Sequence, residues 1–434
     1  MSNLPLTKDQ RAAYVAFVGF INNPKETYFV IKGYAGTGKS TLVSHLLSQL
    51  DATLAGAKLI TQKDQDWTVT LTATTNKAAE ALKLVTNEPV KTIQSFLCLK
   101  PQKSKIGDST ILVTTPGTKQ IVNHILFIDE ASFADNKLLD LIQEHTKHSK
   151  VIYIGDPAQL TPIKTTTAPV FSQGYPEVEL TEVVRQQKDN PITNLATSFR
   201  NMVNGQGSFS FTPDGHHVQH MSQEDFQTKI LKNFNDPEFI PGSAKVLAWT
   251  NKTVIGYNQA IREAVDGLPD LQEGDYAICN TYINCVTRHG TCRLSADNSV
   301  LITKIMPAVE FETKGWVITM NETHRAFMPI SLKEKKKTLK DFKKAYQEES
   351  ATYGARSSIA LERKKEIKAI EENWIDLRAA YSCTVNKSQG STYDNVYIDL
   401  NDIGKCNSGN TIARMLYVAV SRAKHHVYLT GDWN

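Results

Sequence analysis

The sequence predicts an α/β protein built on parallel sheets. Two observations lead there: short β-rich apolar runs alternate with helical patterns, and each run closes on a polar loop. A third, a glycine-rich turn after the first run, indicates what the sheet holds. The runs in the first part of the chain are "YFVIKG" (28–33), "VTLTAT" (69–74), "HILFIDE" (124–130) and "VIYIGD" (151–156). Ligands of such sheets bind beyond the carboxyl ends of the strands, so the polar residues closing these runs converge on one crevice.

The pattern returns in "AKVLAWT" (244–250), "AAYSCT" (379–384), "NVYIDL" (395–400) and "HHVYLTGD" (425–432), which predicts a second α/β unit. Between them the texture changes. Residues 271–330 read as short strands and turns, expected to form a small β-barrel inserted in the second unit. Leu332, Leu339, Phe342 and Tyr346 fall at helical spacing, as do Ile367, Ile370, Trp374 and Leu377, predicting a hairpin of two charged helices. The run from Lys333 to Lys340 reads as a solvated helix face, with nucleic-acid contact as the alternative. A smaller insertion, Leu99 to Gly117, places the turn residues Gly107 and Asp108 before Ile111, Leu112 and Val113, the pattern of a β-hairpin.

A chain of 434 residues is too long for one core. Apolar residues make up 41% and charged residues 22%, ordinary for a soluble globular protein. A net charge of +4 permits a nucleic-acid partner without requiring one. The opening MSNLPLTKDQ lacks the basic and apolar regions of a signal peptide, and no apolar run approaches the ~18 residues of a membrane span. A cytosolic chain without a membrane partner is expected. Six cysteines suit free thiols in a reducing compartment. Cys279, Cys285 and Cys292 lie near His289, but their spacing matches no zinc pattern, so they read as buried thiols.

The chemistry begins at "YFVIKGYAGTGKSTLV", where Gly33, Gly38, Lys39 and Ser40 satisfy G-x-x-x-x-G-K-[ST] between a strand and a helix. Such a loop turns backbone N–H groups, here those of Ala35, Gly36 and Thr37 with Thr41 just beyond, toward phosphates. Lys39 reaches the β/γ oxygens and Ser40 offers a hydroxyl to Mg²⁺. The expected ligand is therefore ATP with Mg²⁺. Asp129 and Glu130 end a strand: Asp129 can hold Mg²⁺ through water, and Glu130 can take a proton from an attacking water. Gln159 in "YIGDPAQLTPI" can sense the γ-phosphate. Arg185 in "LTEVVRQ" and Arg422 in "LYVAVSRAK" can neutralise charge developing on the transferred phosphoryl group.

The ordered set "LTKDQ", "GYAGTGKST", "TATTNKAA", "TIQSFL", "FIDEAS", "GDPAQLTPI", "LTEVVRQ", "AWTNK", "TVNKSQGSTYDNV" and "YVAVSRAK" resembles the motif series of superfamily 1B DNA helicases. Within it, the RecD-like branch that includes the Dda-like helicases is the most similar. The resemblance runs from Leu6 to Lys424. It implies two RecA-like P-loop domains: 1A over 1–98 and 118–190, and 2A over 191–270 and 377–434. Hairpin 1B would span 99–117, and insertion 2B, an SH3-like barrel with charged helices, 271–376.

The resemblance also implies ATP between the two domains, single-stranded DNA across both, 5′-to-3′ movement and unwinding of fork duplex by a monomer. A single-strand-binding protein and replisome components are the further partners it suggests. Gln10 would read the adenine, and Gly390 would link the DNA and nucleotide sites. Thr75, Asn76 and Lys77, with Thr250, Asn251, Lys252, Thr384, Asn386, Lys387 and Gln389, would hold the DNA backbone.

These loops are rich in groups that donate to phosphate oxygens without reading sequence. Phe96 and Trp249 could stack on bases or belong to the core, and Pro162 could wedge against a base. Two departures stand out: Thr74 where the family often has proline, and Asn386 where it usually has histidine. An RNA helicase of superfamily 1 and a nucleic-acid-independent phosphotransferase remain alternatives at this point.

Overall fold

A computed structural model describes residues 5–61, 66–103, 110–162, 165, 167–184, 190–206, 212–236, 238–240, 242–266, 271–280, 282–288, 290–294 and 299–432. The chain divides into two compact units. Unit 1 comprises Met1–His220, Ser388–Val396 and Leu400–Asn434, and unit 2 comprises Met221–Lys387 with Tyr397–Asp399.

Unit 1 begins with strands β1 (Tyr28–Gly33), β2 (Thr68–Ala73), β3 (Val90–Thr92), β4 (Lys100–Lys103) and β5 (Thr110–Val113). It continues with β6 (Ile121–Val122), β7 (His124–Asp129), β8 (Thr146–Lys147), β9 (Lys150–Gly155) and β10 (Glu177–Leu180). Six of them form a sheet in the order β10-β1-β9-β7-β2-β3. Every pairing in it is parallel, with Ile31 opposite Ile154 and Leu71 opposite Phe127.

The continuous apolar runs are explained by burial on both faces. Ile125 and Phe127 pack with Phe17, Phe20, Leu42 and Leu46 on one face, while Leu126 and Ile128 pack with Leu97, Leu138 and Ile142 on the other. The four runs read from the sequence are β1, β2, β7 and β9, each within one residue of its expected bounds. The hairpin insertion is present as antiparallel β4 and β5, with Gln102 opposite Ile111. Its expected turn at Gly107 and Asp108 lies outside the described residues.

After β11 (Val218–Met221), unit 2 holds β12 (Ala244–Ala248), β13 (Tyr276–Cys279), β14 (Ile283–Thr287) and β15 (Gly290–Leu294). Strands β16 (Ser299–Glu310), β17 (Thr313–Met320), β18 (His324–Pro329), β19 (Leu377–Ala379) and β20 (Ser382–Thr384) follow. β12 and β20 pair in parallel, whereas the expected barrel region is a seven-stranded sheet in the order β15-β14-β18-β17-β16-β13-β19. All of its pairings are antiparallel. The long β16 carries a register shift between Ile302 and Lys304, the irregularity that lets a strand bend.

Helices Leu332–Tyr353 and Ser358–Asn373 form the expected hairpin. Ile370 and Trp374 are fully buried against Phe327, with Leu339 and Phe342 beside them. Leu332 departs from that stripe and is exposed, because it is the first residue of its helix. Most of the lysine run is solvated, but Lys335 donates to the Trp374 carbonyl at 2.7 Å and so closes the end of the second helix. Cys285 and Cys292 face each other across β14 and β15, and burial pushes the Cys285 thiol up to about 12. Such a thiol stays protonated. His289 lies outside the described residues.

The chain continues through β21 (Tyr393–Asp399) to β22 (Ala423–Thr430). The two compact units are not drawn where the expected domains 1A and 2A are. Helix Gly409–Val420, buried throughout from Ala413 to Val420, packs with helix Pro191–Val203 inside unit 1, and Asn410 donates to the Val203 carbonyl at 3.1 Å.

Candidate active site

The phosphate loop follows directly from its residues. Gly33 ends β1 where an added Cβ would meet Thr37 Oγ1 at 2.8 Å and Lys39 Cγ at 3.1 Å, so no side chain fits. Gly36 and Gly38 take positive φ angles of 81° and 78°, which turns the intervening peptides inward before helix Lys39–Ser48 begins. Thr37 is buried and its hydroxyl donates to the Tyr34 carbonyl at 2.9 Å, pinning the turn. Lys39 Nζ donates to the carbonyls of Gly33 (2.7 Å) and Tyr34 (3.1 Å), so the ammonium lies over the loop. Ser40 is half-buried at the start of the helix and Thr41 is exposed.

Gln10 supports this loop from outside. It forms a capping box with Thr7, and its amide donates to the carbonyls of Thr37 (3.1 Å) and Gly38 (3.4 Å). The residue expected to read adenine is thus also a brace for the phosphate loop.

Asp129 and Glu130 stand at the carboxyl end of β7. Asp129 accepts the Glu130 N–H at 2.8 Å, and burial raises its pKa above the ordinary aspartate value. Glu130 keeps some exposed surface, yet its Oε2 is inaccessible and has no hydrogen-bond partner. Burial, reinforced by the Asp129 charge and opposed by Lys39 and Arg422, pushes the Glu130 carboxyl up to about 7. A carboxylate with a free oxygen and a pKa near neutrality suits a general base. The oxygen donors Ser40 and Asp129 fit Mg²⁺, which takes one or two carboxylates and completes its shell with water and phosphate oxygens. Among the described residues no group of three or more His, Cys, Asp or Glu side chains could hold a metal ion on its own.

The far end of the chain enters the same site within unit 1. Arg422 is buried: its Nε donates to the Val418 carbonyl (3.1 Å), Nη1 to Ser391 (3.2 Å) and Nη2 to Ser421 Oγ (2.8 Å). Its charge nevertheless acts on Glu130. Gln159 is buried and accepts the Gln389 amide at 3.2 Å. Gly390, at φ 77°, lies against Lys77, whose Cβ would be 3.5 Å from an added Cβ. Lys77, Gly390, Gln389 and Gln159 therefore form one line through the unit. Arg185 lies outside the described residues.

The remaining loop residues divide by unit. In unit 1, Thr75 caps helix Asn76–Thr86 by accepting the Ala78 N–H at 3.2 Å, and Asn76 and Lys77 are half-buried in its first turn. Phe96 packs against the core cluster of Leu97, Ile121 and Leu126, which favours the core reading. Pro162 is half-buried, and its carbonyl accepts from Thr165. In unit 2, Trp249 is half-buried and Thr250 caps the helix that carries the exposed Asn251 and Lys252. Thr384 accepts the Lys387 N–H at 3.4 Å, Asn386 is exposed, and Lys387 Nζ donates to Asn280 at 2.8 Å.

Two participants escaped the sequence reading. Tyr417 OH accepts the Ala35 N–H at 2.8 Å and donates to Asp156 at 2.6 Å, joining the phosphate loop to the loop that carries Gln159. Arg414, one turn earlier, donates to the carbonyls of Pro157 and Gln159, both at 2.7 Å. Both positions lie on helix Gly409–Val420, which leads into the quoted "YVAVSRAK", and three-residue helical spacing puts them on one face. Their targets are visible only once that helix is docked.

A family model described as an AAA domain matches residues 5–223, just over half of the chain, and one described as a UvrD-like helicase C-terminal domain matches residues 379–430. The ATP-dependent DNA helicase dda of Enterobacteria phage T4 is 28% identical over 275 residues, which cover 60% of this chain and 57% of that protein. The ATP-dependent RecD2 DNA helicase of Deinococcus radiodurans is 31% identical over 169 residues, 38% of this chain and 21% of its own. The chain thus aligns with only part of these curated relatives. Among solved structures, the Pif1 helicase from Candida albicans superposes with a TM-score of 0.52 at 15% identity, over 99% of this chain and 95% of that one. The shared feature is the fold.

Proposed function

The chain belongs to the AAA-domain family, and from that premise we propose that it is an ATP-dependent DNA helicase moving 5′ to 3′ on single-stranded DNA. The observation that carries the reading is Glu130: a raised, unpartnered carboxylate at the carboxyl end of β7, within electrostatic reach of both Lys39 and Arg422. Hydrolysis needs these groups together. Water attacks the γ-phosphorus while Glu130 accepts its proton, the bond to the ADP oxygen breaks, and Lys39 and Arg422 stabilise the negative charge on the phosphoryl oxygens. Mg²⁺ held by Ser40 and Asp129 would add charge neutralisation at those oxygens.

The line from Lys77 through Gly390 and Gln389 to Gln159 supports coupling between a backbone-holding loop and the γ-phosphate. In this reading 1A and 2A hold the DNA through the threonine, asparagine and lysine loops, with Asn386 donating where the family uses histidine. Insertions 1B and 2B are then accessory, and the β4–β5 hairpin is the strand-separation pin. In this reading the chain serves replication or recombination of DNA, and the phage relative, an ATP-dependent DNA helicase, supports DNA as the substrate.

The test is unwinding of 5′-tailed against 3′-tailed duplexes with MgATP. Unwinding of the 5′-tailed form alone is expected. Unwinding of only the 3′-tailed form overturns the polarity, and unwinding of neither, with an ATPase indifferent to DNA, overturns the function.

A further inference from the structure

Three residues hold the backbone around Glu130, and one of them, Thr74, reaches it twice. Glu130 has a left-handed backbone, φ 51°, a conformation that costs a side-chain-bearing residue energy and persists only where neighbours hold it. Thr74, directly beyond β2, supplies two of the holds. Its N–H donates to the Asp129 carbonyl at 3.0 Å, and its hydroxyl donates to the Glu130 carbonyl at 2.7 Å. Those two carbonyls belong to the peptide units on either side of the Glu130 Cα, so together they fix the direction of its Cα–Cβ bond. The Phe133 N–H also reaches the Glu130 carbonyl, at 3.2 Å. Thr74 is buried, and its own carbonyl accepts the Gln94 amide at 3.2 Å. A proline at this position could make neither contact to the 129–130 segment, having no N–H and no hydroxyl.

We propose that Thr74 is a positioning residue for the general base and the mechanical link between nucleic-acid binding and hydrolysis. The inference rests on the helicase reading for its second half. Thr75, Asn76 and Lys77, the loop expected to hold a DNA backbone, follow Thr74 without an intervening residue. A shift of that loop on binding phosphate moves Thr74, and Thr74 carries the Glu130 peptide with it.

The experiment compares Thr74→Val, which keeps shape and N–H but loses the hydroxyl, with Thr74→Ser, which keeps the hydroxyl. Steady-state ATPase of the full chain is measured with and without oligo(dT). In Thr74→Val we expect kcat to fall about tenfold with the KM for ATP unchanged within about twofold. Stimulation by oligo(dT) should shrink while its affinity is retained, and Thr74→Ser should restore both kcat and stimulation.

Wild-type kcat in Thr74→Val overturns the positioning role. So does a loss of kcat that Thr74→Ser fails to restore. Full stimulation in Thr74→Val despite a lowered basal kcat overturns the link. A wild-type ATPase that ignores oligo(dT) removes the helicase reading and the link with it, while the kcat and rescue arms still decide the clamp.

Discussion

The parallel sheet of unit 1 and the antiparallel sheet of unit 2 are nearly equal in size, six strands against seven, yet they organise polar residues in opposite ways. In the parallel sheet all carboxyl ends lie along one edge. Gly33 at the end of β1, Thr74 after β2, Glu130 after β7 and Asp156 after β9 therefore stand along that edge, where Thr74 bonds the Glu130 carbonyl and the Asp156 charge acts on the Glu130 carboxyl. In the antiparallel sheet successive strands end on opposite edges. The polar groups of the elements beside it serve the fold: Arg262, on helix Asn251–Asp266, pairs with Asp275 at 2.6 Å, and Lys335 closes the helical hairpin. Strand direction, more than composition, decides which unit holds the chemistry.

The contrast can be broken by substitution. The largest effect is expected at Arg422: Arg422→Ala should lower ATPase kcat ~10³–10⁵-fold with ATP still bound, measured by turnover and nucleotide fluorescence titration. Normal turnover would remove the far end of the chain from the site. Glu130→Gln should cost ~10²–10⁴ in kcat.

The wild-type enzyme should also lose about tenfold in kcat per pH unit below 7, where Glu130 is protonated and can accept no proton. The same raised pKa has a sign for stability. The folded state binds this proton more tightly than the unfolded chain, so the favourable contribution is complete below the ordinary value of 4.5 and is lost as pH rises through about 7. Glu130→Gln should therefore melt no lower than wild type at pH 8, and a clear drop in Tm there would contradict the burial argument.

In unit 2 the order reverses. Trp374 is fully buried with its ring centroid 4.9 Å from that of Phe327, and Trp374→Ala should destabilise by ~3–5 kcal/mol in denaturant melts. Basal ATPase, read well below the transition, should stay within about threefold of wild type. A loss as deep as that of Glu130→Gln would end the separation of roles. The smallest effect belongs to Lys343→Ala. Its 2.6 Å pair with Glu371 joins two half-exposed groups, so stability should change by no more than ~0.5 kcal/mol.

The four strands around the phosphate loop were legible because buried parallel strands read as continuous apolar runs. Lys39, Ser40, Asp129 and Glu130 were legible because phosphate chemistry demands those residue types at the ends of such strands. Gln10, Phe96 and Lys335 were read by type, but their contacts depend on what docks beside them. Gln10 braces the carbonyls of Thr37 and Gly38, Phe96 joins the core, and Lys335 caps a helix. Thr74 was visible only as a departure from pattern.

By itself the sequence determined the parallel α/β class, the phosphate loop and the acidic pair, since these depend on local spacing and strand-to-helix turns. Only the tertiary structure decided that Tyr417 would bridge Ala35 and Asp156, that Arg422 would bias Glu130, and that Thr74 would hold the peptide of the base. Those contacts join residues distant in the chain, and their geometry is set by how helices and strands pack, which no local pattern encodes.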